Sequence, residues 1–367
     1  MKIGITCYPT YGGSGIVATE LGLELASRGH EIHFITYANP IRLGSGLERI
    51  RYHEVEVTNY PLFQYPPYCL ALASRMAEVA ERYDLDLLHV HYAIPHSISA
   101  MLAKQMLASK RRLPFVTTLH GTDITLVGAE ASFLGITRFS IEESDGVTSI
   151  SEYLARRTSE FFSVKKPIRV IRNFVNCALY QPGQKASGEK VLLHVSNFRP
   201  VKRVLDCVRI LAEVRKHVPA QLWMAGDGPD RGSAERLAYE LGIANHVLFL
   251  GKQDHVERLF PQAHVLLMPS EHEAFGLAAL EGMACGVVPV ATDCGGVPEL
   301  ITQGADGFRE AVGDVESQAS RVVELLTDES RYEQMALAAR HTAESRFDTT
   351  RVIPEYEAYY KEVLGAA

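Results

Sequence analysis

The feature that most constrains the fold is an alternation of short apolar segments with helical segments, which restarts at the middle of the chain. Each apolar segment predicts a buried strand, and the intervening segments carry apolar residues at helical spacing. Strands that alternate with helices predict parallel sheets covered on both faces, the doubly wound α/β class. The predicted strands span residues 2–8, 31–37, 85–90, 115–119 and 146–150, then 191–196, 221–225, 247–250, 265–268 and 287–292.

The restart of the pattern predicts two domains. The chain has 367 residues, more than the roughly 150 of one typical domain. A polar, turn-rich segment at 180–189 separates the two series and predicts a hinge near it. We expect domains at 1–170 and 171–345, and a C-terminal segment, 346–367, with a helix over 352–364 that follows Pro354 closely. Two such domains would face each other across a cleft at the carboxyl ends of their strands, where open α/β sheets bind ligands.

Composition excludes several classes of protein. Apolar residues make up 47% of the chain, which excludes a disordered polymer, and the net charge of −7 disfavours a general nucleic-acid binder. The six cysteines are scattered without a C-x-x-C pair, which disfavours a disulfide scaffold or a structural zinc site. No signal peptide and no apolar run of about 18 residues is visible. We therefore expect a cytoplasmic protein that does not enter a membrane.

A distinctive turn follows the first strand of each series. Residues 12–15 read Gly-Gly-Ser-Gly before a helix, a place where backbone N–H groups can approach an anion. Arg199, Lys202 and Arg203 follow the first strand of the second series, and three cations in five residues suit a diphosphate. Two alternatives stay open: residues 12–15 could form a tight turn that binds no ligand, and the three cations could lie on a solvated basic loop.

The strongest signal is a pair of glutamates, Glu273 and Glu281, separated by seven residues. Gly276 is expected to open a helix, so the amides of Phe275, Gly276 and Leu277 would be its unpaired donors. A phosphate could bind these amides while the two glutamates bind sugar and ribose hydroxyls. The alternative is a capped amphipathic helix with exposed glutamates.

Histidines cluster after two predicted strands of the first series. His120 begins the segment His-Gly-Thr-Asp directly after a strand, where it could donate to a sugar hydroxyl. His89 and His91 lie on one face of a strand and His96 follows, but no acidic partner stands at ligand spacing, so we expect no metal site.

Together these motifs resemble glycosyltransferase family 4, whose members have the GT-B fold. The resemblance rests on the GGSG turn, HGTD, the basic turn, E-x7-E and the GG-x-PE turn at 295–299, which follow the family's order over nearly the whole chain. The segments ITCYPTYGGSGIVATELG, HVHYAIPHS, TTLHGTDIT and HVSNFRPVKR are most similar to the branch that transfers N-acetylglucosamine to L-malate, the first step of bacillithiol biosynthesis. Asn197 stands where the wider family has an arginine, and Arg199 follows two residues later.

The resemblance implies roles for the residues that match its motifs. Arg199 and Lys202 would hold the diphosphate of UDP-N-acetylglucosamine, with Glu273 on the sugar and His120 completing the catalytic set. The remaining donor-binding positions would be Gly15, Phe275, Gly276, Leu277 and Glu281. The acceptor-binding candidates in the first half are Ser14, Tyr92, Thr118 and Arg138, because two carboxylates require a cation and hydroxyl donors.

The resemblance also implies a retaining reaction with neither cofactor nor metal, small-molecule substrates, and a C-terminal helix that returns to the first domain. A homo-oligomer is left open. Three alternatives stay beside this reading. One is a family member with another acceptor, such as an inositol phosphate or a lipid. The others are an NAD-dependent oxidoreductase, which the missing G-x-G-x-x-G disfavours, and a non-catalytic nucleotide-sugar binding module.

Overall fold

The computed structural model describes residues 1–10, 12–44, 46–57, 62, 64–126 and 128–365. It divides into two compact units, one formed by Met1–Arg172 with the chain from Val352 onward, the other by Asn173–Arg351. The sequence predicts the boundaries at 170 and 345, and the structural division lies at 172 and 351.

The first unit contains a parallel sheet of seven strands in the order β3-β2-β1-β4-β5-β6-β7. Its central strands are buried on both faces, including the polar side chains that β4 and β5 carry among their apolar ones. The strand order reverses between β1 and β4, which is where ligands of doubly wound sheets bind. The strands are β1 (Lys2–Thr6), β2 (Glu31–Thr36), β3 (Ile50–Glu54), β4 (Leu87–His91), β5 (Phe115–Leu119), β6 (Gly146–Ser149) and β7 (Arg169–Val170).

Helices connect these strands and cover the sheet. They are α1 (Gly13–Ser27), α2 (Tyr68–Tyr83), α3 (Ile98–Leu107), α4 (Thr122–Thr125), α5 (Ala131–Glu143) and α6 (Glu152–Phe162). The first helix ends as its sequence predicts, because Gly29 adopts a φ of +94° directly after it.

The second unit contains a parallel sheet of six strands in the order β10-β9-β8-β11-β12-β13, which reverses between β8 and β11. Its strands are β8 (Lys190–Ser196), β9 (Ala220–Gly226), β10 (Val247–Gly251), β11 (Val265–Met268), β12 (Val288–Thr292) and β13 (Phe308–Glu310). Its helices are α7 (Val204–Val214), α8 (Arg231–Glu240), α9 (Leu277–Ala284), α10 (Val297–Leu300), α11 (Val315–Thr327) and α12 (Glu329–Thr342). Two doubly wound units confirm the predicted fold class.

The last helix, α13 (Thr349–Leu364), begins in the second unit and then belongs to the first. Tyr356 and Tyr360 are fully buried, and the Tyr359 hydroxyl accepts a hydrogen bond of 2.9 Å from the Val147 backbone N–H. The helix therefore completes the core of the first unit. The sequence predicts this helix over 352–364, close after Pro354, but it begins at Thr349, so the proline lies inside it. A proline at the sixth helical position cannot donate to the Thr350 carbonyl, and its ring crowds that oxygen.

Two further points compare the sequence analysis with the structure. The segment 180–189 lies within the second unit, close after the division at Arg172, and the prediction of a hinge near it stays a prediction; its Lys185 Nζ donates to the Ala263 carbonyl at 2.7 Å. The sequence pattern does not predict the three edge strands β3, β7 and β13. The β3 sequence Ile-Arg-Tyr-His-Glu is half exposed and lacks an apolar run, and β7 and β13 are only two and three residues long.

Candidate active site

In the second unit, the turn after β8 packs closely against the glycines that follow β9. Gly226 has a φ of +128°, and a Cβ there would lie 1.8 Å from the Ser196 carbonyl oxygen. A Cβ on Gly228 would lie 2.1 Å from the Asn197 carbonyl oxygen. Only glycine permits both approaches, so the Gly-Asp-Gly turn of 226–228 shapes the loop that carries the predicted cations.

The loops after the two strands at the reversal point join through an ion pair. The Lys202 Nζ lies 2.6 Å from Glu273 Oε2, and the Glu271 backbone N–H donates to the Val201 carbonyl at 2.8 Å. Lys202 ends a single helical turn, and Glu273 precedes α9. The structure therefore brings together two residues that the sequence predicts to act at one site.

The GG-x-PE turn supports the backbone of Glu273. The Gly296 N–H donates to the Glu273 carbonyl at 2.9 Å. A Cβ on Gly295, whose φ is +58°, would lie 1.9 Å from that same oxygen. The two glycines thus let their own turn approach the Glu273 carbonyl more closely than a residue with a Cβ atom would allow.

Helix α9 begins in the manner that anion binding requires. Gly276 precedes it with a φ of +102° and makes no side-chain cap, and buried Phe275 anchors the turn against Phe347 with ring centroids 5.6 Å apart. The first-turn amides, including that of Leu277, are therefore free of a side-chain cap.

Glu281 lies inside α9 and is 5% exposed. Its Oε1 accepts a hydrogen bond of 2.7 Å from the Tyr180 hydroxyl. The alternative of a helix with an exposed second glutamate is therefore wrong.

The other cations of this loop differ in their surroundings. Arg199 is exposed and precedes the helical turn of Pro200–Lys202. Arg203 donates from Nε to Asp206 Oδ2 on α7 at 2.7 Å, whereas Lys202 pairs with Glu273 on the loop after β11.

In the first unit, the start of α1 lies close to the end of β1. Gly12 precedes the helix without a side-chain cap, and Ser14 in the first turn is half-buried. A Cβ on Gly15 would lie 2.4 Å from the Tyr8 carbonyl oxygen. The glycine turn therefore sets the helix start directly beside the strand end at the reversal point.

His120 lies within a cluster of aromatic rings at the ends of β4 and β5. Its Nε2 lies 2.8 Å from His91 Nδ1, and its ring stacks on Tyr92 with centroids 5.7 Å apart. Burial lowers the pKa of His120 to about 3, so the ring is neutral at neutral pH.

Asp123, the last residue of His-Gly-Thr-Asp, holds this loop in place. Its Oδ1 accepts from the backbone N–H groups of His120 and Gly121, and its Oδ2 accepts from that of Ala93. The sequence shows this aspartate, but its role depends on a loop 30 residues earlier in the chain.

The acceptor-binding candidates occupy different environments. The Thr118 hydroxyl is buried between His89 Nε2 and Thr148 Oγ1, each at 2.6 Å. The Tyr92 hydroxyl lies 2.5 Å from Thr122 Oγ1. Arg138 is exposed on α5. The contacts of Tyr92 and Arg138 with an acceptor stay predictions.

Three comparisons with known proteins bear on this arrangement. The family model described as Glycosyltransferase Family 4 matches residues 11–179, and the model described as Glycosyl transferases group 1 matches residues 179–342. The N-acetyl-alpha-D-glucosaminyl L-malate synthase of Bacillus anthracis is 47% identical over 99% of this chain and 97% of its own. This chain belongs to glycosyltransferase family 4.

More distant members support the same placement. The D-inositol 3-phosphate glycosyltransferase of Nocardia farcinica is 25% identical over 97% of this chain and 86% of its own. A sucrose-phosphate synthase from Thermosynechococcus elongatus superimposes with a TM-score of 0.84 over the full length of both chains at 19% identity, which shows the shared GT-B fold. Family membership confirms a glycosyltransferase and excludes the oxidoreductase.

The part of the chain that the structure describes lacks two features. None of its helices combines the length and apolar character needed to cross a bilayer. The same residues contain no group of three or more His, Cys, Asp or Glu side chains placed to hold a metal ion.

Proposed function

We propose that this glycosyltransferase moves N-acetylglucosamine from UDP-N-acetylglucosamine to the 2-hydroxyl of L-malate with retention of configuration, the first step of bacillithiol biosynthesis. The observation that carries the proposal is the 47% identity with the Bacillus anthracis malate synthase over nearly the full length of both proteins. The ion-paired Lys202 and Glu273 at the reversal point of the second sheet support a donor site.

The second unit would bind the donor. Lys202, Arg199 and the uncapped amides of Phe275, Gly276 and Leu277 supply positive charge to the diphosphate. The ion pair holds Glu273 where it can bind hydroxyls of the transferred sugar. Glu281, held by the Tyr180 hydroxyl, would bind the ribose hydroxyls.

The first unit would bind the acceptor. L-malate carries two carboxylates, which suit the hydroxyl of Ser14 at the start of α1 and the guanidinium of Arg138, whereas the Gly15 amide would assist the diphosphate of the donor. The Tyr92 hydroxyl would contribute a hydrogen bond, whereas the fully buried Thr118 hydroxyl is already engaged by His89 and Thr148 and is corrected to a supporting residue behind the site. His120 would donate a hydrogen bond to the transferred sugar.

The reaction breaks the bond between the anomeric carbon and the phosphate oxygen and forms a bond from the same face to the malate hydroxyl oxygen. Negative charge grows on the leaving diphosphate, so Lys202, Arg199 and the helix amides stabilise the transition state more than the ground state. The malate proton moves to the leaving phosphate oxygen, which balances the reaction without a side-chain base. No metal is proposed, since the cations and amides supply the charge.

An inositol phosphate is the second candidate acceptor, because the Nocardia farcinica relative is named for that substrate. Purified protein is incubated with UDP-N-acetylglucosamine and, in parallel, L-malate, inositol 3-phosphate or no acceptor. We expect UDP release that depends on L-malate, and an α-linked product by NMR. UDP release no faster with L-malate than without acceptor would overturn the proposal, and dependence on inositol 3-phosphate would favour the second candidate.

A further inference from the structure

Three contacts hold His120, one through its backbone and two through its ring. Its backbone N–H donates to Asp123 Oδ1 at 3.1 Å, Tyr92 stacks on one face, and Nε2 lies 2.8 Å from His91 Nδ1. Within the described part of the chain, the ring makes no other hydrogen bond. The ring is 8% exposed, so Nδ1 is the atom that it can offer to a ligand.

The contact between the two histidines needs one proton. Burial lowers the pKa of His120 to about 3 and that of His91 well below its usual value. Both rings are therefore neutral at neutral pH, and each carries a single N–H. Either His91 donates and the His120 proton lies on Nδ1, or His120 donates from Nε2 and its Nδ1 is a bare acceptor.

The surroundings of His91 decide between these arrangements. Its Nε2 is fully buried and has no partner among the described residues. If His91 accepted, its own proton would lie on Nε2 as a buried, unpaired N–H, an arrangement that native proteins rarely tolerate. If His91 donates, Nε2 is a bare lone pair.

The neighbouring His96 shows that this cluster accommodates a bare lone pair. Its Nδ1 lies 2.6 Å from the His91 carbonyl oxygen, which only accepts, so Nδ1 carries the proton. His96 Nε2 is then unprotonated, and it too is buried without a partner among the described residues.

We propose that His91 is a positioning residue, which donates its Nδ1 proton to His120 and so fixes His120 as a hydrogen-bond donor, not a base, toward the substrate. The ligand atom opposite Nδ1 must then be an oxygen with a free lone pair, such as a sugar hydroxyl. The identity of that substrate rests on the proposed function, whereas the position of the proton is a property of the free protein.

The position of the proton can be measured without substrate. In protein labelled with 15N-histidine, nitrogen chemical shifts separate protonated from unprotonated imidazole nitrogens, and His120→Gln identifies the His120 signals by their loss. We expect the His120 proton on Nδ1 in the wild type. It should stay on Nδ1 in His91→Asn, because the asparagine amide N–H replaces the imidazole donor. In His91→Leu, which has no donor, it should shift toward Nε2. A wild-type proton on Nε2 overturns the proposal, as does an unchanged tautomer in His91→Leu.

Kinetics separate positioning from a loss of packing. If His120 donates to the substrate in the transition state, its misplacement in His91→Leu should lower kcat about 10- to 100-fold with little change in KM. The kcat of His91→Asn should stay within about fivefold of the wild-type value. His33→Leu is the matched control, because His33 is also buried and bonds another histidine, His53, at 2.9 Å on a different strand. It should lower the melting temperature but keep kcat.

Equal kcat losses in His91→Asn and His91→Leu, or none in His91→Leu, would refute the positioning role. If the wild-type protein releases no malate-dependent UDP, the proposed function fails, and the nitrogen shifts still decide where the His120 proton lies.

Discussion

Lys202 and Glu273 form an ion pair of 2.6 Å between the loops that follow β8 and β11, although 71 residues separate them in the chain. The two strands are neighbours at the point where the order of the second sheet reverses. The side chains are 24% and 15% exposed, and pairs with this much access to water stabilise a fold by at most about 1 kcal/mol. The pair is therefore better explained by the placement of a cation and a carboxylate for ligands than by stability.

The first prediction is that Lys202→Met and Glu273→Gln each lower kcat about 100-fold or more, because the first removes a charge that stabilises the leaving diphosphate and the second removes a carboxylate that positions the transferred sugar. The free energy of unfolding, measured in urea, should change by no more than about 1 kcal/mol. Lys216→Met is the matched control, since Lys216 forms an exposed pair with Glu213 at the same 2.6 Å. Near-normal turnover in both site variants would refute the assignment.

The second prediction concerns the glycine behind Glu273. In Gly295→Ala the new methyl group would meet the Glu273 carbonyl oxygen, so the loop must shift. We expect kcat to fall at least about tenfold and stability to fall by about 1–3 kcal/mol. Gly304→Ala separates the clash from backbone strain, because Gly304 has a φ of +73° but no atom lies within 4 Å of the position that its Cβ would take. It should lose stability and retain activity, and equal kcat losses in both variants would contradict the argument.

The sequence predicts the parts of this protein that depend on local signals. Apolar runs bounded by glycines identify the central strands, and the spacing of Glu273 and Glu281 correctly places one in a loop and the other inside α9. Contacts between distant segments could not be predicted this way. The bond between Tyr180 and Glu281 joins segments 101 residues apart, and nothing in the local pattern of either segment encodes it.

The histidine cluster shows the same limit. The alternation of strand side chains predicts that His89 and His91 share a face, and their rings lie 4.3 Å apart. The contact between His91 and His120 depends on the register of β4 against β5. In that register His91 pairs with Thr118, two residues before His120. Register is set by packing across the whole sheet, so the sequence alone supplied the histidines but not their partners.

The third prediction tests the returning helix. The Tyr360 hydroxyl lies 2.7 Å from His89 Nδ1 and is fully buried. Tyr360→Phe should destabilise the first unit by about 1–3 kcal/mol, because it leaves a buried nitrogen of His89 without a partner. Hydrogen exchange of peptides from β4 and β6 should report faster opening, with peptides from β9 unchanged. Tyr239→Phe is the control, since Tyr239 is 79% exposed, and equal effects of the two variants would contradict the prediction.

The fourth prediction is that acid destabilises the first unit through its buried histidines. Burial lowers the pKa of His89 and His120 to about 3 and that of His96 to about 4, whereas unfolded histidines titrate near 6.5. Below pH 6.5 the unfolded chain therefore binds more protons than the folded one, and the free energy of unfolding falls as the pH falls. Each histidine contributes at most about 1.4 kcal/mol per pH unit.

Hydrogen exchange of β4 and β5 peptides between pH 7.5 and 5, corrected for the intrinsic exchange rate, measures this slope. His96→Gln should flatten it, because the variant removes one group that titrates only in the unfolded chain. His255→Gln should leave it unchanged, since the His255 side chain is 64% exposed in the second unit. A slope in His96→Gln as steep as that of the wild type would show that the burial of this histidine does not govern the acid sensitivity of the unit.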